Sequence, residues 1–424
     1  MSALQFSVEW QDDAINAAPE EQATVADFKI LLMNQNVTLH AQGDEFEDHL
    51  TVPLYGLAEG LAHNWWRLFG GRDGELSLIK FRNGYAIPDI RLRFDGGVFE
   101  VEARQFTYRN PDVRFLLGPP ELMDRAAGEQ MLTDFVEHVL SRLASRGLRN
   151  TSAALRWARV QRSRANIDEA AFCESAGALG LDPYKIDEAG AYAIEAAGRI
   201  FAGEPLTEFL SGSAGSDHRR LLDWIDTSDR RPRVSACIHE LRPMAQQAAQ
   251  TCPGRHLEKS WELGYRRAAA LRDALCVDNA KRYHTYRQLA EAFGSSKSYT
   301  VAPAVDGLRA LRIDHNDGVR IHMRSHGEPA AARTGHLFTF ARAVGDVACF
   351  PEETTAPIND LHDAYRQSAS RAFAAQFLAP IDEIRSMRED GRDQITMAGE
   401  FGVSTAVIEH QLDNMLRIET ALAA

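Results

Sequence analysis

The chain has 424 residues, 45% of them hydrophobic and 25% charged, a composition that buries a sizeable core and leaves room for about two or three domains. Its formal charge of −13 excludes binding of nucleic acid or anionic membrane over the whole surface by bulk electrostatics, so any polyanion site must be local. Five scattered cysteines fit free thiols in a reducing, cytoplasmic compartment, and no apolar run or N-terminal leader pattern points to a membrane or to secretion.

In chain order, LQFSVEW (4–10), VADFKILLM (25–33) and NVTLHAQ (36–42) alternate in the manner of strands. RLRFDGGVFEVEAR (91–104) sets two alternating runs about Asp95-Gly96-Gly97, a hairpin pattern. Between them, VPLYGLAEGLAHNWWRLFGG (52–71) predicts a helix opening near Thr51 and Pro53, stopped by a glycine pair, with Trp65 and Trp66 locking it onto the sheet. EQMLTDFVEHVLSRLASRG (129–147) carries apolar residues three and four apart and predicts a second helix.

From about Asn150 to Gly294 the pattern is helical, with linkers expected at SGSAGSDHRR (211–220) and TSDRRPRV (227–234) and a seam near Ser211 to Arg233. Two helices, SWELGYRRAAALRDALCV (260–277) and TYRQLAEAFG (285–294), precede LRALRIDH and GVRIHMR, a hairpin about Asn316-Asp317-Gly318. A helix over HLFTFARAVGDVACF follows, and another over INDLHDAYRQSASRAFAAQFLAP is ended by Pro380. The expected fold is α+β and predominantly helical. It comprises a mixed α/β domain over 1–149, a helical region and linker over 150–233, a core domain over 234–391 and a small helical tail over 392–424.

HLFTFARAVGD (336–346) resembles the zinc helix of the ImmA/IrrE metallopeptidase-like family, Arg-Phe-Thr-Leu-Ala-His-Glu-Leu-Gly-His. SRAFAAQFLAP (370–380) is similar to the family's downstream segment, and MAGEFGVSTAVIEHQLDN (397–414) to its ending, in the same order and spacing. The resemblance implies a zincin-like core in the C-terminal part of the chain, in a degenerate branch with a long N-terminal extension. It aligns the family's two histidine ligands with Arg342 and Asp346, its catalytic glutamate with Ala343, and its glutamate ligand with or near Ala369. A catalytic zinc needs about three protein ligands, an open position and a carboxylate for the bound water, and none of those roles is filled.

The implied function is that of a catalytically inactive regulatory or sensing protein without a cofactor, acting in phage defence, stress response or mobile-element control. Its partner would be a protein such as a repressor or defence effector, or a small ligand. Arg342 and Asp346, four apart on one helix face, are expected to form an ion pair in place of zinc. Arg342, Asp346, Arg366, Gln367 and Arg371 would line the remnant cleft, suited to a phosphate or carboxylate. In the competing arrangement the arginines pair on the surface with Glu352, Glu353, Asp360 and Asp363.

Two alternatives belong to other classes. A metal-dependent endopeptidase with rearranged ligands would draw zinc to His322, His326, His336 and His362, with Asp346. A DNA-binding regulator would use ITMAGEFGVSTAVIEHQL (395–412), where Ala398, Gly402 and Ile408 match a helix-turn-helix pattern and Thr405, His410 and Asn414 would face the bases.

Overall fold

The alternation in Leu4–Trp10 makes it an antiparallel strand, β1, with Phe6 opposite Ile30 and Val8 opposite Phe28 of β2 (Val25–Leu32). A short helix, α1 (Pro19–Ala23), joins them. In this computed structural model residues 4–12, 16–42, 45–72, 74–106, 113–115, 117–230, 237–278, 280–295, 305–325 and 329–423 are described. The expected strand over 36–42 is split. Asn36 Oδ1 accepts from the Thr38 N–H at 3.0 Å and from its hydroxyl, which holds a turn between β3 (Gln35–Asn36) and β4 (His40–Gln42).

β5 (Glu45–Glu47) pairs with β4, and β6 (Leu50–Pro53) pairs with β2. Thr51 and Pro53 therefore belong to a strand and not to the start of the next helix: Leu50 and Val52 alternate into the core, and the proline ends the ladder. The helix is α2 (Tyr55–Gly70). β7 (Leu76–Ser77), β8 (Asp89–Phe94) and β9 (Phe99–Arg104) follow, with Phe94 opposite Phe99 across the expected hairpin. β10 (Val113–Phe115) returns to β4, and β11 (Glu121–Met123) adds to β9. The long helix α3 (Arg125–Ser145) is capped by Asp124, whose carboxylate accepts from the Ala127 N–H at 2.7 Å.

Next come α4 (Ser152–Arg164) and α5 (Ile167–Ala178). Trp65 meets Trp157 of α4 edge-on at 5.0 Å, and Trp66 Nε1 donates to the Tyr184 hydroxyl at 3.0 Å, so the tryptophans also fasten α2 to α4 and to the turn that carries Tyr184, within the core that α2 shares with the sheet. α5 crosses α2 so closely that a Cβ on Gly177 would lie 2.0 Å from Trp66 O. α4 and α5 thus share the first core, and the chain divides into compact units over residues 1–190 and 191–424, inside the first turn of α6 (Glu188–Gly198). The linker expected over 211–220 coincides in part with the turn between α7 (Gly203–Gly212) and α8 (His218–Arg230), whereas the start of the one expected over 227–234 extends α8, and 231–236 lie outside the described residues.

The second unit continues with β12 (Cys237–Ile238), α9 (Leu241–Thr251), α10 (Ser260–Ala274) and α11 (Tyr286–Ala292). Then come β13 (Ala310–His315), β14 (Gly318–Met323), α12 (Pro329–Cys349), β15 (Thr355–Ile358) and α13 (Tyr365–Leu378). The antiparallel sheet has the order β12-β14-β13-β15. His315 lies opposite Gly318 at the expected hairpin, where Gly318 adopts φ 134°. α14 (Ile381–Glu389), α15 (Gln394–Phe401) and α16 (Thr405–Ala423) close the chain. With about 52% helix and 17% strand the fold is α+β and predominantly helical. No helix among the described residues is long and apolar enough to cross a membrane.

Candidate functional site

α12 stands at the centre of the second core because Leu337, Phe340, Ala341, Val344, Val347 and Ala348 are each 0% exposed, an apolar surface that wraps most of the helix. Small residues bring its neighbours close. A Cβ on Gly345 would stand 2.5 Å from the Phe373 ring of α13, and one on Gly264 of α10 would stand 2.4 Å from Ala369 O. Ala343 and Ala369 are fully buried in this packing. The polar residues of α12 and α13 are therefore shut in with one another and need partners in place.

Asp346 does not pair with Arg342, contrary to the i, i+4 expectation. Its carboxylate is 0% exposed and bridges two other guanidiniums: Arg366 Nη2 donates to Oδ1 at 2.7 Å, and Arg312 Nη1 of β13 donates to Oδ2 at 2.9 Å. Arg312 also holds Asp314 through Nε and Nη2 at 3.0 and 3.1 Å, and donates to Phe350 O at 3.0 Å. Burial pushes the Asp346 carboxyl up, but Arg366 and Arg312 outweigh burial and hold it below the usual carboxylate range. A surface ion pair of a few tenths of a kcal/mol has been displaced by a buried cluster whose members cannot do without one another.

Gln367 joins the next layer. Its Nε2 donates to Glu208 Oε2 of α7 at 2.7 Å and to Pro357 O at 2.8 Å, while its Oε1 accepts from Arg342 Nη2 at 2.9 Å and from the Asn359 N–H at 3.0 Å. All hydrogen-bonding capacity of that amide is used. Arg342 Nη2 donates also to Asn359 O at 2.7 Å. Glu208 is 0% exposed, with Oε1 lacking a hydrogen-bond partner and Arg366 Nε 3.8 Å from Oε2; burial pushes its carboxyl up to about 8. The surface pairing expected for the arginines survives only in part: Arg366 Nη1 is 3.6 Å from Glu353, whereas Arg371 Nη2 donates to Leu361 O.

Next to this network lies a cleft of about 700 Å³ between α10, α12, α13 and α16, with Arg342, Arg371, Trp261 and Phe338 among its lining residues. Phe338, expected in the apolar frame of the helix, is half-buried and faces this cleft. Of the five expected cleft residues, Arg342 and Arg371 line it, while Asp346, Arg366 and Gln367 are buried behind it. α16 supplies the remaining wall. Gly402, at φ 68°, makes the left-handed turn from α15, and Val403 and Ile408 pack into the core.

The alternative site residues are dispersed. His322 is buried in β14, His336 is half-buried in α12, His362 is exposed at the cleft, and His326 lies outside the described residues. Among the described residues no group of three or more His, Cys, Asp and Glu is arranged to hold a metal ion. Of the candidate base-reading residues, Thr405 is exposed, His410 lines the cleft, and Asn414 Nδ2 donates to the Tyr265 hydroxyl at 2.9 Å. Arg312, Glu208, Asn359 and Trp261 escape sequence reasoning; an arginine inside the apolar run ALRI is the one signal that marks Arg312 as facing a buried acid. No protein-family model matches the chain, and no curated protein or solved structure is significantly similar to it.

Proposed function

We propose that the chain is a catalytically inactive relative of the ImmA/IrrE metallopeptidases, with a zincin-like second unit, that acts in the cytoplasm as a regulatory or sensing protein. The observation that carries this reading is the Asp346 carboxylate bridging Arg312 and Arg366 at 2.9 and 2.7 Å. In the alignment with the family, Asp346 stands at the second histidine and Arg342 at the first. A guanidinium keeps its proton and repels a cation, so these side chains suit a charge cluster and not a metal. Ala343, at the position of the catalytic glutamate, and Ala369, at or near that of the glutamate ligand, are sealed and offer no group to activate water or hold zinc. What the second unit offers is a cleft with two arginines on its wall, which supports binding as the activity.

The test is metal content together with hydrolysis. Purified full-length protein is expected to carry no stoichiometric zinc by mass spectrometry, and to leave unfolded casein uncut with zinc or manganese added. Stoichiometric zinc that is lost when His322, His336 and His362 are replaced, with casein cleavage lost in parallel, would overturn the reading in favour of a metal-dependent endopeptidase.

A further inference from the structure

The cleft beside α12 concentrates positive charge on an acidic protein. Its charged lining residues are three guanidiniums, Arg309, Arg342 and Arg371, and one carboxylate, Asp360, on a chain whose formal charge is −13. Asp360 is taken up by Arg309, at 2.7 Å. Among the described residues Arg342 and Arg371 donate to neutral oxygens: Arg342 to Asn359 O and the Gln367 amide at 2.7 and 2.9 Å, Arg371 to Leu361 O. Arg342 is only 4% exposed, and its Nε has no hydrogen-bond partner. Burial, and then the charge of Arg371, pulls the Arg342 guanidinium below its ordinary value, and burial does the same to Arg371.

Arg342 is buried and Arg371 half-buried, and Asp360 and Glu208 act on both only through space, whereas Asp346 compensates Arg312 and Arg366 by direct contact a turn away. The missing direct ion pair fits an anion arriving from outside, and guanidinium forks grip phosphate and carboxylate bidentately. The rest of the wall is aromatic and apolar. Trp261 stands edge-on to Tyr265 at 5.8 Å, and the Tyr265 hydroxyl is fixed by Asn414 and Gln411 of α16. Phe338 and Val407 complete that side. A volume of about 700 Å³ is that of a small-molecule site.

We propose that this cleft binds a small organic anion, a phosphate or carboxylate carried on an aromatic stem, with the anionic head on Arg342 and Arg371 and the ring against Trp261 and Phe338. The inference rests on the reading of the second unit as a binding protein and adds its ligand class. Because α16 forms one wall, occupancy also ties the last helix to the core, which gives a bound ligand a route to whatever α16 meets.

Calorimetric titration of the full chain with phenyl phosphate, phenylacetate, inorganic phosphate and benzyl alcohol tests it. Expected is saturable binding of phenyl phosphate or phenylacetate, weaker binding of inorganic phosphate and none of benzyl alcohol; the better of the two aromatic anions identifies the head group. Arg371→Met should weaken the aromatic anion about tenfold or more, and Arg371→Lys, which keeps the charge but loses the fork, should fall between. Trp261→Ala should weaken the aromatic anions and leave inorganic phosphate unchanged. Hydrogen exchange in α16 should slow when phenyl phosphate is bound. Binding of neither aromatic anion at millimolar concentration, or equal binding by the wild type and a folded Arg371→Met, overturns the proposal. If the protein is also free of zinc and does not cut casein, only the ligand class falls; zinc-dependent cleavage would instead remove the reading beneath it.

Discussion

Replacing Asp346 by asparagine keeps the shape of the side chain and removes the one charge that two buried guanidiniums share. Arg312 would still have Asp314, held at 3.0 and 3.1 Å. Arg366 would be left with Glu208 at 3.8 Å and Glu353 at 3.6 Å, both beyond hydrogen-bond length, and with the Phe350 ring 5.0 Å from its guanidinium carbon. Breaking a buried ion pair from one side costs about 3 to 5 kcal/mol. Since one of the two arginines keeps a carboxylate, the lower end applies, about 3 kcal/mol. In a unit of this length that lowers the melting temperature by roughly 6 to 12 °C.

The assay is calorimetry of the full chain, with hydrogen exchange followed on peptides from α12 and α13, so that the loss is assigned to the second unit and not to the first. Asp346→Asn combined with Arg366→Met removes the stranded cation and should recover part of the loss, because the cost comes from an uncompensated charge and not from a missing contact. A loss under about 1 kcal/mol in the single variant, or a double variant that is the sum of its parts, would refute the idea that Asp346 neutralises this cluster.

Glu208 titrates with the opposite sign. Its folded value is raised to about 8, so its contribution is full below the unfolded carboxyl range, declines as pH rises and is gone above about 8. Glu208→Gln should flatten the fall in melting temperature between pH 5.5 and 8.5, and an unchanged profile would show that Glu208 is ionised throughout. Gly264→Ala drives a methyl group against the backbone at Ala369 O and Phe373 N, 2.4 and 2.8 Å away, and should cost about 1 to 3 kcal/mol in thermal melting. Gly399→Ala, in α15 with nothing within 4 Å, should instead stabilise by up to about 1 kcal/mol in the same measurement.

Helix phase and turn chemistry are local, and they were legible. Phe340, Ala341, Val344 and Val347 fall on the buried surface of α12, the hairpins turn at Asp95 and at Asn316-Asp317-Gly318, and Gly402 supplies the left-handed turn before α16. The identity of a polar residue's partner is not local. Spacing put Arg342 and Asp346 on one face and suggested that they pair, but Asp346 is claimed by Arg312, 34 residues upstream, and by Arg366, 20 downstream. Gln367 meets Glu208 across 159 residues. Thr51 and Pro53 misled for a related reason: proline suits both the first turn of a helix and the last residue of a strand, and only the ladder to Val25 decides between them.

The same competition explains why Arg342 and Asp346, one turn apart on α12, have different roles. Asp346 faces the sheet and α13, where two guanidiniums from other elements neutralise it completely, so its chemistry ends inside the core. Arg342, one turn earlier, meets carbonyl and amide oxygens on its inner side, among the described residues, and a cleft on the other. A neutral donor could satisfy Asn359 O and the Gln367 oxygen without the desolvation cost of a cation. Within the fold Asp360 and Glu208 act on this guanidinium only through space, and the direct partner it lacks is the one that the proposed anion would supply from the cleft.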